Sequence, residues 1–135
     1  MNSAGRSKGG AAGCPCGLSA VYDECCGRFH RGQAVPTAEA LMRSRFAAFA
    51  RQDEAYLLRT WHPATRPKRV EFERGMRWVT LEVEEVTGGS TFHTEGTVTF
   101  RAHYAFRGRR GSMHERSRFT RDGGAWVYVD GDTLN

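Results

Sequence analysis

The spacing of apolar positions changes period once along the chain. Ala38, Leu41, Met42, Phe46 and Phe49 recur at intervals of three and four, which predicts an amphipathic helix over about 38–51. Thr37 is a good N-cap for it, and Glu39 puts negative charge in the first turn. Arg45 falls inside the apolar stripe, one turn from Leu41, Met42 and Phe49. A charge on that face is costly unless paired, so a carboxylate from the sheet is expected beside it, with a pocket-lining role as the alternative. Arg43 and Ser44 are expected to face outward. Asp53 caps a second, short helix from Glu54 to about Thr60. It must stop at Trp61-His62-Pro63, because the residue before a proline disfavours helical backbone.

From residue 78 the period is two. Val79, Leu81 and Val83 alternate with Trp78, Thr80, Glu82 and Glu84, the pattern of a strand. Gly88-Gly89-Ser90 turns the chain into a strand from about Thr91 to Phe106, with Val98, Phe100, Ala102, Tyr104 and Phe106 on one face and Thr97, Thr99, Arg101, His103 and Ala105 on the other. After a turn over Arg107–Gly111, a strand from about Ser112 to Thr120 alternates Met113, Glu115, Ser117 and Phe119 against His114, Arg116 and Arg118. Asp122-Gly123-Gly124 leads to a last strand, Ala125–Val129. Two helices followed by a four-stranded antiparallel meander make an α+β fold. A long bent sheet wrapped over helices encloses a cone with a cavity.

Composition adds little until the cysteines are placed. At 135 residues, 39% hydrophobic and 26% charged, the chain is sized for one domain plus a small appendage. No apolar run is long enough to span a bilayer. Residues 1–12 are rich in Gly and Ala without the apolar segment of a signal peptide, and are read as a flexible leader. A cytoplasmic, thiol-reducing compartment is the expectation.

All four cysteines fall between Cys14 and Cys26, spaced Cys-x-Cys, eight residues, Cys-Cys. In a reducing compartment such clustering favours a metal over disulfides, and a Cys-x-Cys or vicinal disulfide is strained. Thiolates suit zinc, and four of them close a structural site. Pro15 stiffens the first turn, and Gly17 permits a backbone denied to other residues. His30 is an alternative ligand should Cys25 or Cys26 not reach.

Charge is uneven. Seven arginines (Arg101, Arg107, Arg109, Arg110, Arg116, Arg118 and Arg121) stand against Glu115 alone in that segment, exceeding the whole net charge of +5. They form a candidate strip for an anionic partner, with Arg107, Arg109, Arg110, Arg116 and Arg118 at its centre, or a solvated sheet face.

Two blocks resemble a known family. Cys14-Pro-Cys16-Gly with its spacing to Cys25-Cys26 is similar to the SEC-C zinc motif. Met42-Arg-Ser-Arg-Phe46-Ala-Ala-Phe49, Thr60-Trp61-His62-Pro63 and the ending Trp126-Val-Tyr-Val-Asp-Gly131 resemble the YchJ-like family of small bacterial proteins. The resemblance implies an NTF2-like cone over residues 32–135 with a zinc knot over 13–31, and Zn2+ held by Cys14, Cys16, Cys25 and Cys26. It covers the chain from about Cys14 to Gly131. Some members carry a second cysteine motif at the C-terminus; this chain ends Asp-Thr-Leu-Asn.

Three functional classes follow. The knot and the arginines suit a module that docks a protein or a nucleic acid. A cone cavity using Arg45, Trp61, His62, His103 and Tyr104 suits a small-ligand carrier or an enzyme. No nucleophile–base pair and no close carboxylate pair is legible. A purely structural zinc tie is the third.

Overall fold

The structure is a computed structural model that describes residues 13–135; the expected leader over 1–12 lies outside the described residues. A 3-10 turn (Tyr22–Glu24) precedes three helices, α1 (Cys26–His30), α2 (Ala38–Arg51) and α3 (Glu54–Arg59). Four strands follow, β1 (Met76–Gly88), β2 (Glu95–Phe106), β3 (Arg109–Asp122) and β4 (Ala125–Thr133). They form one antiparallel meander in the order β1-β2-β3-β4. The α+β cone expected from the sequence is the observed architecture.

The Thr37 hydroxyl accepts from the Ala40 N–H at 3.0 Å, starting α2, and Gln52 ends it in the left-handed region. The apolar stripe of α2 lies on the sheet. Ala38, Leu41, Met42 and Phe46 pack with Leu81, Val98, Phe100, Ala102, Phe119 and Trp126 in one core. Each large side chain so buried contributes about 1.5–3 kcal/mol.

The other flanks of α2 are covered as well. Ala47 packs on the four cysteines, and Ala48 packs with Phe29, Tyr56 and Leu57. Small residues there let neighbouring segments approach closely. This corrects the outward placement of Ser44, which is fully buried. Its hydroxyl donates to the Leu41 carbonyl at 2.9 Å and accepts from the Tyr56 O–H at 2.6 Å.

Three strands are longer than their sequence patterns, whereas β2 starts at Glu95 rather than near Thr91. The turn between β2 and β3 is only Arg107-Gly108, both at positive φ (52° and 83°), so pairing runs to Phe106↔Arg109 rather than stopping near Ser112. The simple alternation of β1 is also corrected. Pairing shifts between Trp78 (opposite Tyr104) and Thr80 (opposite His103), leaving Val79 as the extra residue of a bulge. The bulge turns Trp78 to the same side as Leu81, and Trp78 packs against the core, edge-on to Phe46 with centroids 6.0 Å apart.

Candidate metal centre and cone cavity

The knot begins with an antiparallel bridge between Gly13 and Val21 and a hydrogen bond from Cys14 N to Ala20 O (3.0 Å). Between them, Gly17 adopts φ +96°. A Cβ there would meet the Leu81 carbonyl at 2.9 Å, so the loop lies directly on β1. Cys25 has the irregular backbone φ −122°, ψ −113°, and Cys26 opens α1, which lets adjacent residues aim both sulfurs inward.

Cys14, Cys16, Cys25 and Cys26 are buried and unbonded to one another, with all four sulfurs within 4.8 Å. Cys16 and Cys25 are 3.6 Å apart. A tetrahedron with metal–sulfur bonds of about 2.3 Å has edges of about 3.8 Å, so the cluster is sized for a metal. Hydrogen bonds from Cys16 and Cys26 hold Cys14 down at about 2; the same contacts push Cys16 up to about 12 and Cys26 upward as well. Thiols this close ionise together only around a cation.

His30 is not part of this cluster. Its Nε2 lies 2.8 Å from the Ser44 carbonyl, so that nitrogen carries the proton and donates. Nδ1 therefore accepts from the Tyr22 hydroxyl. The knot is thus tied to α2 through His30, and again through Arg43, whose Nη1 donates to the Cys16 carbonyl at 2.8 Å.

On the opposite flank of α2 a cavity of about 240 Å³ opens between helix and sheet. Arg45, Phe46, Trp61, Trp78, Phe100, Met113, Glu115 and Tyr128 are among its lining residues. Arg45 is 3% exposed. Its Nη1 donates to the Leu57 carbonyl (2.8 Å) and the Thr60 hydroxyl (2.7 Å), and its guanidinium lies over the rings of Tyr128 (4.6 Å) and Trp61 (5.0 Å). Among the described residues no carboxylate forms an ion pair with it, which corrects the expectation of a sheet-borne partner. Burial lowers its pKa to about 10. Burial also raises the Glu115 carboxyl, which accepts from Ser117 Oγ at 3.2 Å.

Of the five residues considered for a pocket, Arg45 and Trp61 line this cavity; His62, His103 and Tyr104 do not. The His62 ring accepts from its own turn, at Ala64 N (3.0 Å), while its backbone pairs with Tyr128. His103 faces out from β2 and meets Glu82 at 2.6 Å. Tyr104 stacks edge-on to Trp78 and covers Gly111. Trp78, Glu115 and Tyr128 complete the wall and were missed. Glu115 shares its strand parity with Met113 and Phe119, which is a usable signal, whereas Trp78 enters through the bulge.

The arginine strip is mostly paired within the sheet. Arg118 meets Asp130 (2.6 Å) and Asp132 (2.7 Å), Arg116 meets Asp132 (3.7 Å) and Arg101 meets Glu84 (3.7 Å). Arg121 donates to backbone carbonyls of His93, Thr91 and Gly124 and covers Trp126. Arg107 lies over Phe106, while Arg109 and Arg110 are exposed.

Known proteins with this arrangement are numerous. A UPF0225 protein of Streptomyces avermitilis is 64% identical over 90% of this chain and 84% of its own length. One from Streptomyces coelicolor is 62% identical, covering 90% of this chain and 96% of its own. The solution structure of a SEC-C motif containing protein from Rhodopseudomonas palustris superposes with TM-score 0.77 at 32% identity, over 91% of this chain and 99% of that one. A crystal structure of a SEC-C motif containing protein from Psychrobacter arcticus shares the fold, with TM-score 0.76 at 22% identity over 93% and 85%. The family described as "YchJ, middle NTF2-like domain" matches residues 37–131. With its NTF2-like cone and its cluster of four cysteines, this chain belongs to the YchJ-like, UPF0225 family.

Proposed function

We propose that this protein is a zinc-pinned small-ligand-binding protein, in which the metal holds residues 13–31 against α2 and the cone behind α2 receives the ligand. The cavity carries the reading: an apolar wall with a few polar groups, Arg45, Glu115, Ser117 and Tyr128, is the general form of a small-molecule site. Among the described residues its lining holds Glu115, Ser117 and Tyr128 but no Ser–His or Cys–His pair, so binding is favoured over nucleophilic chemistry.

Zinc is the metal best suited to a four-sulfur shell. A closed shell leaves no position for water, so the metal's role is structural. The four sulfurs are the ligands in this reading, and metal binding contributes directly to folding of the knot.

Native mass spectrometry of protein taken from cells tests both halves. The expected result is one zinc per chain, lost in Cys16→Ser, together with a retained small-molecule mass. Intact metal-free protein with disulfides overturns the first half. Zinc-loaded protein that never retains or takes up a small molecule overturns the second.

A second reading makes the knot a docking surface for another protein. Leu18, 47% exposed beside the cysteines, favours it. Capture of one defined partner that is lost in Leu18→Ser supports this reading, and no such partner counts against it. Nucleic-acid binding would rest on Arg109 and Arg110, and a salt-sensitive affinity is its signature.

A further inference from the structure

Two features of the cavity wall lack partners. The first is the Arg45 charge, buried with no counter-ion among the described residues. Its Nη1 is engaged twice, but Nε and Nη2 donate to no described residue. The second is the Trp61 indole. Its Nε1 is buried and has no acceptor, although buried N–H groups are nearly always paired. The Arg45 guanidinium lies 5.0 Å from the centre of that same indole ring. Nε1 is closed off even from a water-sized sphere, so the unpartnered group at this end of the cavity, near α3, is the Arg45 cation.

The remaining wall is of the opposite character. Phe46, Trp78, Phe100 and Met113 present carbon surface. A cavity of about 150 Å³ is known to accept benzene, so about 240 Å³ accommodates roughly ten non-hydrogen atoms.

We propose that the cone binds a small apolar carboxylate, its oxygens accepting from the Arg45 guanidinium and its hydrocarbon body lying against Phe46, Trp78, Phe100 and Met113. This deepens the ligand-binding reading and rests on it. Arginine suits the role because its planar fork matches a carboxylate in two places, and because its charge persists when desolvated. A neutral ligand would leave the cation uncompensated; a cationic one would meet Arg45 with like charge. Glu115, on the same wall, accepts from Ser117 Oγ and forms no ion pair with Arg45 among the described residues.

The test uses the zinc-loaded full chain and three probes of one shape: 3-phenylpropionate, 3-phenylpropionamide and 3-phenylpropylamine. Binding is read from the Trp61 indole resonance and from indole fluorescence. The acid is expected to bind at least tenfold more tightly than the amide and to shift the Trp61 N–H, with the amine weakest. Trp61→Phe keeps an aromatic face beside Arg45, and is expected to leave the preference for acid over amide in place. Arg45→Lys keeps the charge without the fork, and is expected to weaken the acid at least tenfold. Equal binding of acid and amide, or preference for the amine, overturns the carboxylate while the ligand-binding reading stands. If none of the three moves a cavity resonance, both fall. If Arg45→Lys does not fold, the comparison of acid, amide and amine on the unaltered chain decides alone.

Discussion

The Arg43 guanidinium reaches from α2 to the carbonyl of Cys16, 2.8 Å away, and its Nε holds Glu39 at 3.1 Å one turn earlier. This joins the metal knot to the helix that lines the cavity. Replacing Arg43 by Met keeps the apolar stem and removes both bonds. Arg43, expected to face outward, has a side chain only 15% exposed, and the expected cost is about 1–2 kcal/mol, the lower range for hydrogen bonds to a charged group. Thermal unfolding of the zinc-loaded protein measures it; an unchanged midpoint means the joint is held elsewhere.

Gly17 is the point where the knot touches the sheet. Its φ of +96° and the 2.9 Å approach of the Leu81 carbonyl leave no room for a Cβ. Gly17→Ala is expected to cost about 1–3 kcal/mol through backbone strain and displacement from β1. Gly108→Ala, at φ +83° but with open space around it, is the control for strain alone. Equal losses in the two variants would remove the contact from the explanation.

His30 sets a pH dependence. Desolvation lowers its pKa, so the folded protein keeps it neutral while the unfolded chain protonates near the usual value of about 6.5. Its contribution is therefore complete above that pH and is lost as pH falls towards the lowered folded value. Protonation would also add a second donor facing the Tyr22 hydroxyl. His30→Gln preserves one donor and one acceptor without a titrating group. Between pH 7.5 and 5.5 the wild-type protein is expected to lose more stability than this variant. Parallel losses, due only to acid release of metal, would contradict the assignment.

Glu115 acts with the opposite sign. Burial raises its pKa, so its contribution is complete below the unfolded value of about 4.3 and declines as pH rises through the folded one. Glu115→Gln keeps an acceptor for Ser117 Oγ and removes this decline. Comparing melting temperatures of variant and wild type at pH 4.5 and 7.5 should show the variant gaining, relative to wild type, at the higher pH. A constant difference would show that the carboxyl is solvated.

Local pattern in the sequence was enough to place most elements and the cysteine cluster. Period and capping located α2 to the residue, because Thr37 and the apolar stripe are local signals. Four cysteines in thirteen residues marked one cluster, because short loops can only close on themselves. Tertiary structure decided everything that depends on register and on what covers a face. Ser44 is buried because α3 brings Tyr56 over it, and no local pattern reports a third covering surface. Trp78 reaches the cavity because a bulge at Val79 reverses the parity that the sequence alone implies. Three of the strip's seven arginines, Arg101, Arg116 and Arg118, meet Glu84, Asp130 and Asp132 on neighbouring strands. Arg45 finds no carboxylate, since the inward position on β3 that holds Glu115 lies out of ion-pair reach. Periodicity is a property of one segment, whereas ion pairs and cavities form between segments distant in the chain.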